Sequence, residues 1–336
     1  MSQRYLVTGG AGFIGSHLTE RLLADGHSVT ILDDLSTGRP ANLSAVAGHP
    51  KLQIVRDSVT SESTVNHCVA DCDVVFHLAS AVGVQLVLDQ PVRTIQTTIH
   101  GTELVLSAAH RFGRPVLITS SSEVYGKGTR VPFHEDDDVV MGPTNTTRYC
   151  YAYCKGIDEF LGLAYHKQFG LPVTIVRLFN TVGPRQVGMY GMVMPRFIEA
   201  ALAGQPLRVN GDGNQTRCFC HVSDVVDALV NLMQTPAAVG RVFNLGGHEE
   251  VSMNDLAARV LRLSDSKSRI EHISYQEAYG HAFVDMARRV PALDKIREAI
   301  GFAPRYALDA IIASVIDEHR KLLAAGVNPR ETLAPR

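Results

Sequence analysis

The sequence lacks an excess of charge, long hydrophobic runs and basic patches interleaved with aromatic residues. Its 336 residues include 32 Lys and Arg against 34 Asp and Glu, and no basic stretch is long. Because nucleic-acid-binding surfaces depend on clustered positive charge, we expect no nucleic-acid partner. No apolar run has the length that crosses a bilayer, and the first predicted strand begins near residue 4, which leaves no space for a signal peptide. The sequence therefore predicts a cytoplasmic protein with no membrane partner.

The spacings typical of metal sites are also missing. The six cysteines occur as three close pairs, Cys68/Cys72, Cys150/Cys154 and Cys218/Cys220. They do not have the paired CxxC spacing of a zinc site, and no histidine cluster accompanies them. We therefore expect no metal, and reduced thiols that lie in the core or line a pocket.

A glycine-rich segment follows the first predicted strand. The apolar run at residues 5–8 breaks at Gly9, Gly12 and Gly15 and then continues with helical spacing. In a strand, turn and helix of this kind, the glycines let a pyrophosphate approach the backbone N–H groups and the positive end of the helix. The second strand, at 28–32, ends at Asp33, where a carboxylate accepts hydrogen bonds from ribose hydroxyls. The segment predicts a dinucleotide site that prefers NAD to NADP.

Strands and helices alternate along the first half of the chain. Further strands are predicted at 52–55, 72–79, 115–120 and 173–178, and helices at 93–112 and 150–169. This repeated order predicts an α/β fold with a doubly wound parallel sheet of the Rossmann type. His77, within the fourth strand, is interpreted as a packed or hydrogen-bonded core histidine rather than a base. The acidic residues 135–138 are expected to form a solvated loop.

The second half of the chain differs in composition, because it contains glycine-rich loops near 183–194 and 211–214. A helix at 223–233 and a strand at 242–245 are expected to return to the main sheet. We therefore expect three parts: an NAD-binding Rossmann domain at 1–180 with returns at about 222–246, a smaller α/β lobe at 181–221 and 247–325, and a loosely held tail at 326–336.

Tyr151 and Lys155 lie four residues apart on a predicted helix, so their side chains share one face. A phenol is a poor base at neutral pH, but a nearby ammonium and the positive nicotinamide ring favour the phenolate and lower its pKa. Tyr151 can then accept a proton from a sugar hydroxyl while NAD accepts the hydride from the same carbon. Tyr149 and Tyr153 are weaker candidates because neither has a lysine four residues later.

Taken in order, these features resemble the extended short-chain dehydrogenase/reductase superfamily. They are the glycine-rich opening, Ser-Ser-Glu-Val-Tyr-Gly at 121–126, the Tyr151 and Lys155 pair, and Asn180 with Gly-Pro-Arg at 183–185. The resemblance extends to about residue 305. It implies a tightly held NAD, a nucleotide-diphosphate sugar in the second lobe, expected to be UDP-linked, and a homodimer formed by helices near 93–112 and 151–169.

The resemblance also implies the site residues. The expected cofactor-binding residues are Gly9, Gly12, Phe13, Ile14, Gly15, Asp33, Asp57, Ser58, Ala79, Tyr151 and Lys155. The expected substrate-binding residues are Ser122, Asn180, Arg185, Val209, Arg217 and Arg289. Ser121 is expected to share the substrate hydroxyl with Tyr151, Asn180 to contact the diphosphate, and Arg217 with Arg289 to neutralise its charge.

Several reactions follow from a 4-keto sugar in this superfamily. Dehydration is disfavoured because Ser122 stands where a dehydratase has its carboxylic acid. Glu123, the Arg-x-Pro at 289–291 and the segment 142–148 look like those of UDP-glucuronate decarboxylases, and a 4-epimerase is the alternative. In the decarboxylase interpretation, Glu123 repels the departing carboxylate and excludes a stabilising cation, while Arg217 or water protonates C5. A catalytically silent NAD-binding scaffold is a third possibility, disfavoured by the intact Ser121, Tyr151 and Lys155.

Overall fold

The computed structural model describes residues 2–81, 83–188, 192–279 and 286–327. The strands are β1 (Arg4–Thr8), β2 (Ser28–Leu32), β3 (Leu52–Val55), β4 (Val74–His77), β5 (Val116–Ser121), β6 (Val173–Leu178), β7 (Thr181–Val182), β8 (Leu207–Asn210), β9 (Thr216–Cys218), β10 (Cys220–His221), β11 (Arg241–Leu245), β12 (Glu250–Ser252), β13 (Ile270–Ile273) and β14 (Arg288–Arg289). The helices are α1 (Phe13–Ala24), α2 (Glu62–Ala70), α3 (Val84–Asp89), α4 (Pro91–Ile95), α5 (Gly101–Phe112), α6 (Cys150–Phe169), α7 (Val193–Leu202), α8 (Val222–Met233), α9 (Met253–Ser264), α10 (Tyr275–Tyr279), α11 (Asp294–Ile300) and α12 (Leu308–Ala324).

Seven parallel strands form the main sheet, in the order β11-β6-β5-β4-β1-β2-β3. The order reverses direction between β1 and β4, so the loops after these two strands diverge and leave a crevice at the carboxyl edge of the sheet. The middle strands are apolar and fully buried because helices cover both faces. This architecture confirms the predicted α/β fold with a doubly wound Rossmann sheet.

Helices α1, α8 and α11 cover one face of the sheet, and α2, α5 and α6 cover the other. Each contributes an apolar stripe: Leu18 and Leu22 of α1 pack in one cluster with Val225 and Leu229 of α8. Strand β11 pairs with β6 at the edge of the main sheet although it follows the second lobe in sequence. This interleaving brings residues from both halves of the chain to the same edge.

The second lobe has its own core. Strand β8 pairs with β13, and β9 lies between β12 and β14. Helices α7, α9 and α12 pack around these strands through residues such as Phe197, Leu256 and Ile312. Among the described residues, no helix has the length and apolar character needed to span a membrane.

Two local features differ from the sequence-based expectation, and two expected segments lie partly or wholly outside the described residues. The helix expected at 93–112 is divided: α4 and α5 are joined by a wider turn at Gln96–His100. Glu135 is not simply solvated, because its side chain accepts from the Asn244 N–H at 2.7 Å and its carbonyl accepts from Arg177. Residues 189–191 of the expected loop and 328–336 of the expected tail lie outside the described residues.

The six cysteines are free thiols. Five of them are buried and Cys150 is half-buried. None of the six lies on the wall of the cavity described below, so they lie in the interior and do not line that cavity.

Candidate active site

A cavity of about 480 Å³ opens at the carboxyl edge of the main sheet and extends between the sheet and the second lobe. This is an ordinary volume for a small-molecule site. Of the predicted site residues, the structure brings these to its wall: Gly9, Gly12, Phe13, Ile14, Gly15, Asp33, Asp57, Ser58, Ala79, Ser121, Ser122, Glu123, Tyr151, Lys155, Asn180, Arg185, Arg217 and Arg289.

The glycine turn at one end of the cavity is shaped for an anion. Gly9 has φ of +70°, a conformation that favours glycine, and a side chain on Gly15 would collide with the Gly9 carbonyl oxygen. Helix α1 begins directly after Gly12 with no side-chain cap and no acidic residue in its first turn. Its positive end therefore faces the cavity and fits the pyrophosphate of a dinucleotide.

Asp33, directly after β2, lies on the cavity wall. Its two carboxylate oxygens accept from Ala11 N–H at 2.9 Å and Leu35 N–H at 2.8 Å, which fixes the orientation of the side chain. Burial raises the pKa of Asp33, and these two N–H groups oppose the rise. Asp57 is oriented in the same way, by the Ser58 N–H at 2.7 Å.

Tyr151 and Lys155 lie in the first turns of α6, which places both side chains on the cavity wall. Burial raises the pKa of Tyr151, and the Lys155 ammonium acts against that rise. Tyr153 donates to the Gly142 carbonyl at 2.9 Å, and Tyr149 is packed in the interior. Neither of these tyrosines is part of the cavity wall, so the geometry favours Tyr151 as the base.

Ser121 ends β5, and the chain then forms a tight turn over Ser122–Tyr125. The Ser121 hydroxyl oxygen accepts from the Glu123 N–H at 3.2 Å, so its own proton can be directed into the cavity. Ser122 is only 1% exposed and contributes little surface to the wall. The turn thus sets Ser121 and Glu123 side by side, near Tyr151.

Two arginines hold Glu123. Its carboxylate lies 2.6 Å from the Arg148 guanidinium and 2.8 Å from that of Arg289. Burial would raise the pKa of Glu123, but Arg289, Arg148 and Arg217 outweigh burial and lower it to about 2. Three guanidinium groups and one carboxylate leave a positive surplus at this end of the cavity.

This cluster bears on two expectations. Arg148 and Arg289 are ion-pair partners of Glu123, so this carboxylate does not keep cations away from its end of the cavity. Arg289 lies beside Glu123, and its expected contact with the diphosphate stays a prediction. Arg217, in the strand paired with β14, donates to the Thr216 and Met286 carbonyls at 2.7 and 2.9 Å and points to the same region.

Val209 is the predicted site residue that does not lie on the cavity wall. Strand β8 alternates, so Leu207 and Val209 are buried in the core of the second lobe. The neighbouring Arg208 and Asn210 lie on the cavity wall instead. The sequence did not show which face of this short strand would be covered by α7 and α9.

Arg185 lies on the wall but is directed toward α1. It adopts a φ of +71° and contacts the Glu20 carboxylate at 2.6 Å and the Ser16 hydroxyl at 3.1 Å. These contacts fasten the loop that begins at Gly183 to the helix that follows the glycine turn. These contacts place Arg185 beside α1, and its substrate-binding role stays a prediction.

His77 has the structural role predicted from the sequence. Its ring nitrogens contact Thr8 at 2.8 Å and Thr102 at 3.0 Å, and the side chain is buried below the cavity. Burial, assisted by the positive charge of Lys155, lowers the pKa of His77 to about 3. The ring is neutral in the working range of most enzymes.

Sequence reasoning missed two wall residues next to Tyr151. Arg148 belongs to the segment 142–148, and its place one turn before Tyr151 is the signal in the sequence for a position beside Glu123. Ser80 follows β4, and its hydroxyl contacts Thr98 at 3.1 Å and lowers the pKa of Tyr151 by hydrogen bonding. No pattern in the sequence singles out Ser80.

Comparison with protein-family models shows that residues 5–246 match the "NAD dependent epimerase/dehydratase family". The chain is 41% identical over 323 residues to the UDP-N-acetyl-alpha-D-glucosaminuronate decarboxylase of Bacillus cytotoxicus, covering 96% of this chain and 99% of that protein. It is 36% identical to the UDP-glucuronic acid decarboxylase 1 of Xenopus tropicalis, covering 99% of this chain and 76% of that one.

Among solved structures, the chain resembles a UDP-glucuronic acid 4-epimerase from Bacillus cereus in complex with UDP-glucuronic acid and NAD. The TM-score is 0.85 at 26% identity, with 95% of this chain and 99% of that chain covered. With this coverage, the structural similarity extends over both lobes.

Proposed function

Because the chain belongs to the NAD dependent epimerase/dehydratase family and is an NAD-dependent enzyme acting on nucleotide sugars, we propose that it decarboxylates a UDP-linked hexuronate through a 4-keto intermediate. The observation that carries this proposal is the positive cluster at Glu123. The sugar ring of a neutral hexose offers no anion to this cluster, whereas a hexuronate offers its C6 carboxylate.

We propose that residues 1–180, with the returns at about 222–246, hold the cofactor, and that the second lobe holds the nucleotide sugar. NAD held there would supply the acceptor for the C4 hydride and the source of the hydride for the product. The glycine turn and Asp33 hold the cofactor at the carboxyl edge of the sheet, as the uncapped end of α1 supports. Asn180, two residues after β6, lies on the cavity wall.

Tyr151 accepts the proton of the C4 hydroxyl, and the Ser121 hydroxyl donates to the same oxygen. As C4 becomes a ketone, these two donors stabilise negative charge on its oxygen. The C6 carboxylate is then β to a carbonyl, so loss of CO₂ leaves an enolate whose charge the same oxygen receives. Protonation of C5, for which Arg217 or a water is the candidate acid, and return of the proton from Tyr151 complete the cycle.

Glu123 controls how strongly the arginines bind the carboxylate. A carboxylate in a tight ion pair is stabilised in the ground state and loses CO₂ slowly. Because Arg148 and Arg289 are already engaged by Glu123, they can orient the substrate carboxylate without a full ion pair. This replaces direct repulsion by Glu123 as the reason that CO₂ leaves.

The test is to incubate the protein with UDP-glucuronate, UDP-N-acetylglucosaminuronate and UDP-glucose in parallel, and to identify products by mass spectrometry and NMR. We expect loss of CO₂ from one or both uronates, no reaction of UDP-glucose, and no net consumption of NAD. The two uronates are both included because the Bacillus cytotoxicus relative is named for the N-acetylated one. Recovery of a 4-epimer with its carboxylate intact would replace the proposal with 4-epimerisation.

We also propose a homodimer. Helices α4 and α6 contact each other and expose apolar side chains: Val92 is 65% exposed, Ile95 and Ile157 each 42%, and Phe160 77%. An apolar patch of this kind on neighbouring helices supports burial against a second copy. The cytoplasmic location stays a prediction.

A further inference from the structure

Asp158 is a buried carboxylate that the mechanism above does not use. It lies on α6 seven residues after Tyr151, which brings it to nearly the same helix face two turns further along. The side chain is fully buried, and one carboxylate oxygen lies 3.1 Å from the Lys155 ammonium. The other oxygen has no hydrogen-bond partner.

A buried carboxylate with one unsatisfied oxygen is costly. Packing alone does not explain it, since an apolar residue would fill the same space. Its charged partner among the described residues is Lys155, the lysine on which activation of Tyr151 depends, and the Thr102 hydroxyl also acts on it by hydrogen bonding. The free-energy cost of burying this carboxylate is explained if its negative charge has a function that a neutral side chain could not perform.

We propose that Asp158 is a positioning residue that offsets part of the Lys155 charge at Tyr151 and thereby sets the pH at which this base works. The inference rests on the proposed function, in which Tyr151 first accepts a proton and later returns it. Such a residue serves both steps best when neither of its protonation states is strongly favoured. A lysine without a counter-charge would favour the phenolate too strongly for the second step.

The other charges around Tyr151 and Lys155 are accounted for. On the β5 side, Glu123 is paired with Arg148 and Arg289. Glu159 of α6 is paired with Arg177 of β6 at 2.7 Å. From β4, the neutral His77 ring faces Thr8 and Thr102.

Cys154 adjoins Lys155, and burial raises its pKa to about 12, which keeps it neutral. Asp158 itself raises the pKa of Tyr151, whereas Lys155 lowers it. Among the described groups, Asp158 is therefore the anion that directly balances Lys155.

The experiment compares Asp158→Asn with the unmodified enzyme, each with NAD bound, in single-turnover oxidation of UDP-glucuronate over a range of pH. We expect the acidic limb of the rate profile to move to lower pH by about one unit, because a negative charge near the phenol has been removed. Absorbance titration of the tyrosinate, corrected with Tyr151→Phe, should show the same shift. Asp317→Asn, an exposed change on α12, is the matched control and should change neither the pH–rate profile nor the tyrosinate titration.

Asp158→Ala is the second variant, should the buried amide of Asn prevent folding. Tyr151 then becomes the nearest anionic partner of Lys155, so the shift has the same direction. A lower melting temperature with an unchanged profile and an unchanged tyrosinate midpoint would mean that Asp158 is only structural, and would overturn the inference. Full activity of Tyr151→Phe would instead overturn the proposed function on which it rests.

Discussion

Arg148 and Glu123 form a close ion pair, 2.6 Å between guanidinium nitrogen and carboxylate oxygen, at the end of the cavity where Tyr151 lies. Arg148 precedes α6 and Glu123 follows β5, so the pair connects the helix that carries the base to the strand that ends in Ser121. With Arg289 on its other oxygen, Glu123 is the centre of the charge at the reacting end.

Changing Glu123→Gln should slow CO₂ release more than C4 oxidation. The amide leaves Arg148 and Arg289 available to pair fully with the substrate carboxylate, which stabilises the ground state. We expect the 4-keto acid and bound NADH to accumulate, with a lower KM for the uronate. Stopped-flow absorbance of NADH, run beside a CO₂ assay, measures both steps. Equal slowing of the two steps would contradict this role.

Changing Tyr151→Phe should reduce turnover by about a hundredfold or more, because the ring is kept and the proton acceptor is lost. Binding of the nucleotide sugar, measured by calorimetry, should survive. Tyr153→Phe is the matched control, since Tyr153 donates to the Gly142 carbonyl outside the cavity. Near-normal turnover of the Tyr151 variant would assign the base to another residue.

Asp33→Ala should relax the preference for NAD over NADP. A 2′-phosphate would lie close to the buried carboxylate of Asp33, so the unmodified protein should prefer NAD by about 1 kcal/mol or more. Dissociation constants for both cofactors, measured by fluorescence, give the preference directly. Equal affinities in the unmodified protein would show that Asp33 does not select the cofactor.

His77 should make folding stability depend on pH. Its pKa is about 3 in the folded protein and near 6.5 when unfolded. As pH falls, His77 is therefore protonated in the unfolded chain before it is protonated in the folded protein. The neutral ring contributes its full share of the free energy of unfolding above pH 6.5, and that share is lost as pH falls toward 3. In His77→Gln, the free energy of unfolding should fall less steeply with acid, by up to about 1.4 kcal/mol per pH unit.

Urea unfolding at several pH values measures the slope for His77→Gln. The exposed His67→Gln on α2 serves as the control and should keep the slope of the unmodified protein. The same slope in all three proteins would mean that His77 can be protonated in the folded state.

Phe160→Glu should separate the proposed dimer into monomers. The side chain is 77% exposed on α6, and a charge there would be buried without a partner in the interface. Sedimentation analysis should give a dimer for the unmodified protein and a monomer for the variant. Leu323→Glu, an exposed change on α12, should leave the assembly unchanged; a monomeric unmodified protein would exclude the proposal.

The sequence by itself determined the features that depend on local backbone geometry and periodicity. The turn requires glycine at Gly9 and Gly15 because a side chain at either position would collide with nearby backbone. Asp33 directly follows β2, and the apolar residues of that strand identify it in the sequence. The shared face of Tyr151 and Lys155 is a property of one helix. The alternation of strands and helices likewise predicted the sheet.

Only the tertiary structure decided which distant charges meet. Glu123 and Arg289 become partners because β14 pairs with β9 beside the cavity, an arrangement that no local pattern specifies. Val209 is buried while its neighbour Arg208 lies on the cavity wall, because the packing of α7 and α9 determines which face of β8 is covered. Charge pairing and burial depend on contacts between segments far apart in sequence, whereas turn and helix geometry depend on neighbours along the chain.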